Sequence, residues 1–230
     1  MEVRRALRVW RRDGLAAALV RMWEITRGRL YLREDHVWYQ LDVAAERPRR
    51  ELPPEVRLAR AGLEQAGRVE ELGQSAAVAR RRHAEGNALW LALDGDELLF
   101  GCWTFSRRAP VLAANGGWLE LPAGIACLED SATLPAARGR GIAPGSWTAI
   151  ADRLAADGCT AMITKVGVEN TASRKAVAKA GFREIGVMRL RRYGARTRVT
   201  LEPTDEGLGS ELCTRLGASL SRSGRRPGGV

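Results

Sequence analysis

The apolar positions of the chain follow a strand period in some stretches and a helical period in others. Alternating or continuous apolar runs bounded by turn residues predict strands over residues 36–43, 55–59, 88–93, 97–105, 118–121, 125–134, 160–166, 182–190 and 196–202. Apolar residues three or four positions apart predict helices over 62–73, 75–86, 143–157 and 170–180. Asp94-Gly95-Asp96 predicts a hairpin turn. Strands and helices alternate in the second half, which indicates an α/β arrangement.

The first 33 residues form a basic amphipathic segment. Apolar residues recur there at roughly helical spacing, with nine arginines against three acidic residues. We expect a short helix and then a longer one, separated at Asp13-Gly14. Such a segment either docks on its own domain through Trp10 and Trp23, as apolar faces usually do, or binds a membrane surface or nucleic acid.

Proline and glycine mark the boundaries between regions. Arg47-Pro48 and Pro53-Pro54 predict a linker over residues 44–54. We therefore divide the chain into a basic N-terminal extension with a helix and a strand (1–54), a main domain (55–203) and a C-terminal tail (204–230). The tail is rich in Gly, Ser and Arg, and we expect most of it to be disordered.

Composition excludes several classes of protein. A chain of 230 residues that is 45% hydrophobic can form one domain with extensions. Its apolar run Leu15 to Val20 is too short for a membrane-spanning helix of about 20 residues or for a convincing signal sequence. We therefore expect a cytoplasmic protein with no transmembrane segment. The four cysteines are widely spaced, so we expect neither a metal site nor a disulfide framework.

Charge adds one further expectation. The net charge is +10, and only three of the 37 basic residues are lysines. A basic protein attracts polyanions such as nucleic acid and phosphorylated cofactors. Arginine-rich coding in a GC-rich genome is the simpler explanation of the arginine excess, so charge alone assigns no partner.

The most informative stretch joins a predicted strand to a predicted helix over residues 133–144. Gly139 and Gly141 allow the backbone to turn and to approach a ligand closely. The unpaired N–H groups of the first helical turn and the helix dipole favour an anion there, and Arg138 and Arg140 add positive charge. These features outline a pyrophosphate-binding loop, although the spacing matches neither a P-loop nor GxGxxG.

A second motif makes the assignment specific. Asn170-x-x-Ser173 begins a predicted helix, and Gly181-Phe182 follows the end of that helix. Together with the Arg-x-x-Gly-x-Ala pattern of residues 138–143, this string resembles the GNAT superfamily of N-acyltransferases. It looks most like the branch that acetylates ribosomal proteins and small-molecule amines. The resemblance covers residues 55–203.

The resemblance implies a fold, a cosubstrate and a set of binding residues. The implied fold is α/β (α+β), a mixed and mostly antiparallel sheet with a central splayed parallel pair, flanked by helices. The cosubstrate is acetyl-CoA or another acyl-CoA, with no metal. Its pantetheine arm is expected beside the strand that ends at Thr133, and its thioester near Asn170. The residues expected to bind it are Thr133, Leu134, Arg138, Gly139, Arg140, Gly141, Ile142, Ala143, Asn170 and Ser173.

The implied reaction is direct acyl transfer to a primary amine, which is protonated near neutral pH and therefore needs a base. The family often carries an acidic residue a few positions before the loop, and Glu129 is our first candidate. Strand alternation puts Glu129, Ser131 and Thr133 on one face and Asp130 on the other. A β-bulge, frequent here in the family, shifts that assignment. Asp130 is therefore the second candidate, and deprotonation through water the third.

The general acid is missing from its usual place. Many members carry a tyrosine four residues before the glycine that follows the second helix, where this chain has Val177. Ser131, Cys127 and Tyr193 are the candidate substitutes. A thiolate is a tolerable leaving group, so the reaction can proceed without a dedicated acid. Cys127 has no histidine nearby in sequence to activate it, and we expect no covalent intermediate.

The acceptor is not encoded in a recognisable motif, beyond being a small-molecule or peptide amine. The arginines at 80–82 and within 189–198 form either a solvated face or a surface for an acidic substrate, a carrier protein or RNA. Two alternatives stay open. The same fold can transfer an acyl or aminoacyl group from a carrier protein or charged tRNA, or the chain can be a non-catalytic module that binds acyl-CoA or RNA. The N-terminal helix extends the substrate pocket or mediates a homodimer.

Overall fold

The computed structural model describes residues 31–111, 117–194 and 196–223. The strands in these ranges are β1 (Tyr31–Asp42), β2 (Val56–Ala61), β3 (Ala88–Asp94), β4 (Glu97–Phe105), β5 (Arg108–Pro110), β6 (Trp118–Glu120), β7 (Ile125–Thr133), β8 (Ala161–Gly167), β9 (Arg183–Tyr193) and β10 (Arg196–Pro203). The α-helices are α1 (Ala76–Ala84), α2 (Ile142–Ala156), α3 (Thr171–Lys179) and α4 (Leu208–Ser223). Two 3-10 helices span Leu63–Leu72 and Pro135–Ala137. The helices predicted before residue 31 lie outside the described residues.

Eight of the strands are hydrogen-bonded in the order β10-β9-β1-β8-β7-β4-β3-β2, and β5 and β6 form a separate hairpin. The pairs β1–β8, β2–β3, β3–β4 and β4–β7 are antiparallel, whereas β7 and β8 run parallel. The parallel pairing extends from Ile125 opposite Ala161 to Leu128 opposite Thr164 and stops there, although both strands continue. The predicted fold class, a mostly antiparallel sheet with a splayed parallel pair, is confirmed.

The described residues form two compact units. The smaller one consists of the described residues up to Asp35 together with Met188–Leu201. Within it, Arg191 donates hydrogen bonds to both carboxylate oxygens of Asp35, and these bonds lower the pKa of that carboxyl. The larger unit, His36–Val187 with the described residues from Glu202 onwards, contains both predicted motifs.

The core of the larger unit lies between the sheet and α2. Trp147 of α2 packs edge-on against Phe100 of β4, with ring centroids 6.5 Å apart, and against Phe182, 6.2 Å away. Phe182 therefore anchors the end of α3 in the same core. The preceding residue must be glycine, because Gly181 has φ +89° and a Cβ there would lie 3.2 Å from Pro48. The Gly-Phe part of the second motif thus has a packing role.

Residues 44–54, which we predicted as a linker, pack along α2. The Arg47 side chain is only 7% exposed and forms an ion pair with Asp152 of α2. A Cβ at Gly145 of α2 would lie 3.0 Å from the carbonyl oxygen of Glu51. The strand before this segment also belongs to the sheet, since His36–Asp42 pairs with β8. Proline-rich composition predicts extended backbone, but it does not reveal what that backbone packs against.

Three elements differ from the sequence prediction. The stretch 62–73 is a 3-10 helix, and residues 106–117, where no strand was predicted, contain the strand β5. The third is α4, which lies in the tail that we expected to be mostly disordered. Leu212 and Leu216, one helical turn apart on α4, are buried, and Glu211 pairs with Arg215. A short apolar stripe among Gly, Ser and Arg residues is a weak helix signal in the sequence. It is nevertheless sufficient to form a helix when the stripe can pack against the rest of the domain.

Two glycines of α4 provide a test of its packing. A Cβ at Gly209 would overlap the carbonyl oxygen of Ile185 on β9, whereas a Cβ at Gly217 meets nothing within 4 Å. We expect Gly209→Ala to lower the free energy of unfolding by about 1–3 kcal/mol through this clash. Gly217→Ala is the matched control and should raise it by about 0.5–1 kcal/mol through helix propensity. Chemical denaturation of both variants measures this, and equal effects would contradict the packing.

Candidate active site

The site is centred on the point where β7 and β8 diverge. The hydroxyl of Thr164 donates a hydrogen bond of 2.9 Å to the carbonyl oxygen of Leu128, at the last residue pair of the parallel ladder. The next residue on each strand is charged, Glu129 on β7 and Lys165 on β8. Their side chains therefore lie at the start of the gap between the strands.

Glu129 and Lys165 form an ion pair across this gap. Lys165 Nζ lies 2.6 Å from both Oε1 and Oε2 of Glu129 and 3.1 Å from the carbonyl oxygen of Pro110. The exposed fractions of the two side chains are 12% for Lys165 and 10% for Glu129. The three N–H donors of an ammonium group therefore match the three acceptors around it.

Burial and pairing act on the protonation of these groups in opposite directions. Burial raises the pKa of the Glu129 carboxyl, and the Lys165 ammonium opposes that rise. Burial acts to lower the pKa of Lys165, but the Glu129 carboxylate outweighs it and the pKa of Lys165 lies above its ordinary value. Burial and Glu129 together raise the pKa of the Cys127 thiol, whose Sγ lies 3.5 Å from Oε1 of Glu129. Cys127 therefore stays a thiol, not a thiolate.

A β-bulge follows Glu129 on β7. Trp103 of β4 pairs with Glu129 and Gly101 pairs with Ala132, which leaves one extra residue on β7. Asp130 accordingly has φ +51°, in the left-handed region that favours glycine. The bulge moves Ser131 to the side of α2, where its hydroxyl accepts a hydrogen bond of 3.2 Å from Nε1 of Trp147. Glu129 and Ser131 thus do not share a face, contrary to simple strand alternation.

Side chains from the α1 region hold Asp130 in this conformation. Arg82 of α1 lies 2.6 Å from Oδ2 of Asp130, and its guanidinium stacks 5.4 Å from the ring centroids of Trp103 and Phe105. Gln74 donates to the Asp130 carbonyl oxygen at 3.1 Å and accepts from Trp103 at 3.0 Å. The Asp130 side chain is 45% exposed, and within the described chain its other carboxylate oxygen has no partner. Asp130 is thus the accessible carboxylate of the two.

The predicted phosphate loop leads into α2 as expected. Gly139 and Gly141 have φ +81° and +77°, and a Cβ at either position would meet nothing within 4 Å. Gly141 is the N-cap of α2, and its carbonyl accepts from Gly145. In the described part of the chain, the N–H groups of Gly141, Ile142 and Ala143 have no backbone partner. Three donors at the positive end of a helix dipole are therefore left without a backbone acceptor among the described residues.

The two arginines of the loop have different surroundings. Arg140 lies 2.8 Å from a carboxylate oxygen of Glu55, and Arg138 donates to the Thr133 carbonyl oxygen at 3.3 Å. Both are solvent-exposed. Arg140 therefore fastens the loop to the start of β2, while the Arg138 side chain covers the last residue of β7. Leu134 follows directly, before the short 3-10 helix.

The Asn170 motif is an N-cap. Asn170 Oδ1 accepts a hydrogen bond of 3.1 Å from the backbone N–H of Ser173 in the first turn of α3. Arg174 on the same helix donates to the hydroxyl of Tyr39 on β1 at 3.0 Å. Val177, at the position of the family tyrosine, is buried in the core. A contact of Asn170 with the thioester stays a prediction, whereas its capping role is visible.

Sequence reasoning missed Lys165 and Gln74, and it named Arg82 only as one of the arginines at 80–82. One signal was present for Lys165: it is one of three lysines among 37 basic residues, and it interrupts an otherwise apolar strand. Nothing in the sequence indicates that Arg82, unlike the exposed Arg80 and Arg81, reaches Asp130. That contact depends on how α1 packs against β4.

Comparison with known proteins shows the family. The model of the Acetyltransferase (GNAT) family matches residues 55–182, and the chain therefore belongs to this family of acetyltransferases, whose members take their acyl group from acyl-CoA. The finer branch within the family stays a prediction. No curated protein sequence matches the chain.

Solved structures agree in fold. A Drosophila protein is 16% identical with a TM-score of 0.52, covering 76% of this chain and 56% of its own. A GNAT-family protein from Novosphingobium aromaticivorans is 14% identical with a TM-score of 0.50, covering 76% and 66%. The glucosamine N-acetyltransferase region of a fungal multi-domain β-N-acetylglucosaminidase is 13% identical with a TM-score of 0.51, covering 78% and 23%. The chain thus spans less than two thirds of the first two structures, and identities this low show the fold alone.

The described residues contain no helix long and apolar enough to cross a membrane. They also contain no group of three or more His, Cys, Asp or Glu side chains placed to hold a metal ion.

The ion pair makes a prediction about stability. Lys165→Met leaves the buried Glu129 carboxylate without its cation and should lower the free energy of unfolding by about 3 kcal/mol at neutral pH. Burial then raises the pKa of Glu129 unopposed, so protonation at lower pH relieves the cost and the deficit relative to wild type shrinks as the pH falls from 7 to 5. Denaturant unfolding at several pH values measures the deficit.

The double variant Lys165→Met/Glu129→Met is the control. It removes both charges and should recover most of the lost stability without the pH dependence. A single variant as stable as wild type at pH 7 would show that the pair is not buried as described.

Proposed function

We propose that this chain is an N-acyltransferase that moves an acetyl or other acyl group from acyl-CoA to a primary amine. One observation carries the proposal. The end of β7 continues into the loop whose N–H groups lack a backbone partner among the described residues, and at the buried Glu129 the same strand no longer pairs with β8. A single strand thereby connects an anion-binding site to a gap with a candidate base. Membership of the acetyltransferase family supplies the chemical class.

The loop is proposed as the donor site. The pyrophosphate of acyl-CoA would accept hydrogen bonds from the backbone of residues 138–143, where Gly141, Ile142 and Ala143 have free N–H groups. The pantetheine arm would lie along Thr133 and Leu134 towards the gap. Beyond Leu128 the facing edges of β7 and β8 no longer pair with each other, so their amide groups can bind the amides of this arm. Asn170 and Ser173 would lie on the far side of the gap.

The two carboxylates are proposed to have different roles: Asp130 attracts the ammonium group, and Glu129 removes its proton. Asp130 is exposed and has a free oxygen, so it would attract the incoming ammonium group. Glu129 lies at the gap itself, and burial raises its pKa, which makes it a stronger base than an ordinary glutamate carboxylate. It would accept one proton, after which the neutral amine attacks the thioester carbonyl. The thiolate leaves, and it takes up the second proton released by the nitrogen.

The acceptor is proposed to be a small-molecule or peptide amine that enters from the side of α1 and the β5–β6 hairpin. Arg82 and Lys165 are already paired with Asp130 and Glu129. Neither of these two cations is therefore free to favour a polyanionic carrier or tRNA as donor. Binding to the N–H donors of the loop favours the pyrophosphate of free acyl-CoA instead.

The donor site is tested by calorimetric titration with acetyl-CoA. We expect saturable 1:1 binding that persists at high salt, because backbone N–H donors and the gap provide most of the contacts. Gly141→Val should abolish it, since a branched side chain then occupies the space in front of the free N–H groups. Gly158→Val is the matched control: Gly158 also has positive φ and open space at its Cβ, but it follows the other end of α2.

Binding to wild type that disappears at high salt would favour a carrier-protein or tRNA donor. Equal binding by Gly141→Val and Gly158→Val would contradict the assignment of the phosphate loop. Loss of binding in both variants would show that the strain at positive φ, and not the position, is responsible.

The roles of the two acids are tested with a responsive amine found by screening. Glu129→Gln should lower kcat at least tenfold at neutral pH, with little change in KM, because a carboxamide cannot accept the proton. Asp130→Asn should chiefly raise KM for the amine. The measurement is thiol release by both variants and wild type across the pH range. A reversed pattern would make Asp130 the base, and unchanged kcat in both variants would indicate deprotonation through water.

A further inference from the structure

We propose that Lys165 is itself an acyl acceptor, so that the protein transfers an acyl group from bound acyl-CoA to Nζ of its own Lys165. This inference rests on the proposed function. Its geometric basis is that Lys165 Nζ lies 2.6 Å from both oxygens of Glu129, at the start of the gap between β7 and β8. An external amine has to reach that same carboxylate and that same gap before it can react.

The position of Lys165 satisfies the requirements for an acceptor amine one by one. Its proton can pass to Glu129 without any movement of the backbone, because the hydrogen bond already exists. Its strand neighbour Thr164 is the last residue paired with β7, so Nζ projects where the two strands separate. The carbonyl oxygen of Pro110 fixes Nζ from a third direction. A nucleophile held in this way reacts faster, because it loses little translational and rotational entropy when it reaches the thioester carbonyl carbon.

The other two lysines make the assignment unusually easy to test. Lys175 and Lys179 lie on α3 and are exposed, whereas the Lys165 side chain is 12% exposed and paired with Glu129. Uncatalysed acylation by a thioester in solution follows exposure and therefore favours Lys175 and Lys179. Acylation that is directed by the site reverses this order and selects Lys165.

The Lys165 ammonium gives one proton to a Glu129 oxygen, and the neutral nitrogen attacks the carbonyl carbon of the thioester. The new C–N bond forms and the C–S bond breaks. The nitrogen loses its second proton to the departing CoA thiolate, which leaves as the free thiol. The products are an amide at Nζ, CoA and one proton that Glu129 returns to solvent, with no oxidant, reductant or further reactant.

The experiment is incubation of the purified full-length chain with isotope-labelled acetyl-CoA, followed by intact-mass measurement and peptide mapping. The isotope separates new acylation from any acquired during expression. We expect one labelled acetyl group per chain, on Lys165. Lys165→Arg, which keeps the cation beside Glu129, should lose this label, and the double variant Lys175→Arg/Lys179→Arg should retain it. Glu129→Gln should slow the labelling of Lys165 at least tenfold.

The contrary outcomes are distinct. Label on Lys175 and Lys179 with none on Lys165 overturns the inference, as does equally fast labelling of Lys165 in Glu129→Gln and wild type. Calorimetric binding of acetyl-CoA without label on Lys165 overturns this inference and leaves the proposed function standing. Absence of binding overturns both.

Discussion

The site depends on the end of one hydrogen-bond ladder, after Leu128 of β7 and Thr164 of β8. Up to that point the two parallel strands satisfy each other's backbone groups and form the centre of the sheet. Beyond it they continue without pairing to each other, which is costly unless side chains, water or a ligand supply partners. The bulge at Asp130 and the ion pair of Glu129 with Lys165 occur at the first residues past this point. A gap in the middle of a sheet is therefore maintained by charged side chains.

The pairing of charges at the site is better explained by function than by stability. Burial of an ion pair costs desolvation free energy that its attraction often only balances, and Asp130 additionally adopts a strained left-handed conformation. Arg82 nevertheless stacks between two aromatic rings to reach Asp130, and Lys165 is fixed by three acceptors. Apolar residues could fill the same space without these costs. Such an arrangement suits a site where a carboxylate has to exchange a proton in a partly dry environment.

The sequence predicted the structure of the candidate site best where that structure depends on residues that are neighbours in the chain. The loop at residues 138–143 was predictable because a glycine with positive φ and the N–H groups of a helix start act within a few positions of each other. The faces of β7 were not, since Ser131 changes side through a bulge that depends on the register with β4. Lys165 was visible as an odd charge in an apolar strand, but its partner lies 36 residues away. The packing of residues 44–54 on α2 likewise depends on tertiary contacts that composition does not encode.

The proposed site has a donor half, built from residues that are neighbours in the sequence, and an acceptor half, built from residues that are far apart in the sequence. The proposed donor half consists of one strand, one loop and the start of α2, which follow one another in the sequence. The proposed acceptor half would be assembled from α1 and from the β5–β6 hairpin. The hairpin contributes the Pro110 carbonyl, and its Arg108 guanidinium is stacked 4.5 Å from the Trp118 ring. Strand β5 of this hairpin lies where the sequence predicted no strand, whereas β6 was predicted. In the proposed reaction, the identity of the amine therefore depends on contacts between elements far apart in the chain, and a search for it has to begin from the shape of this entrance.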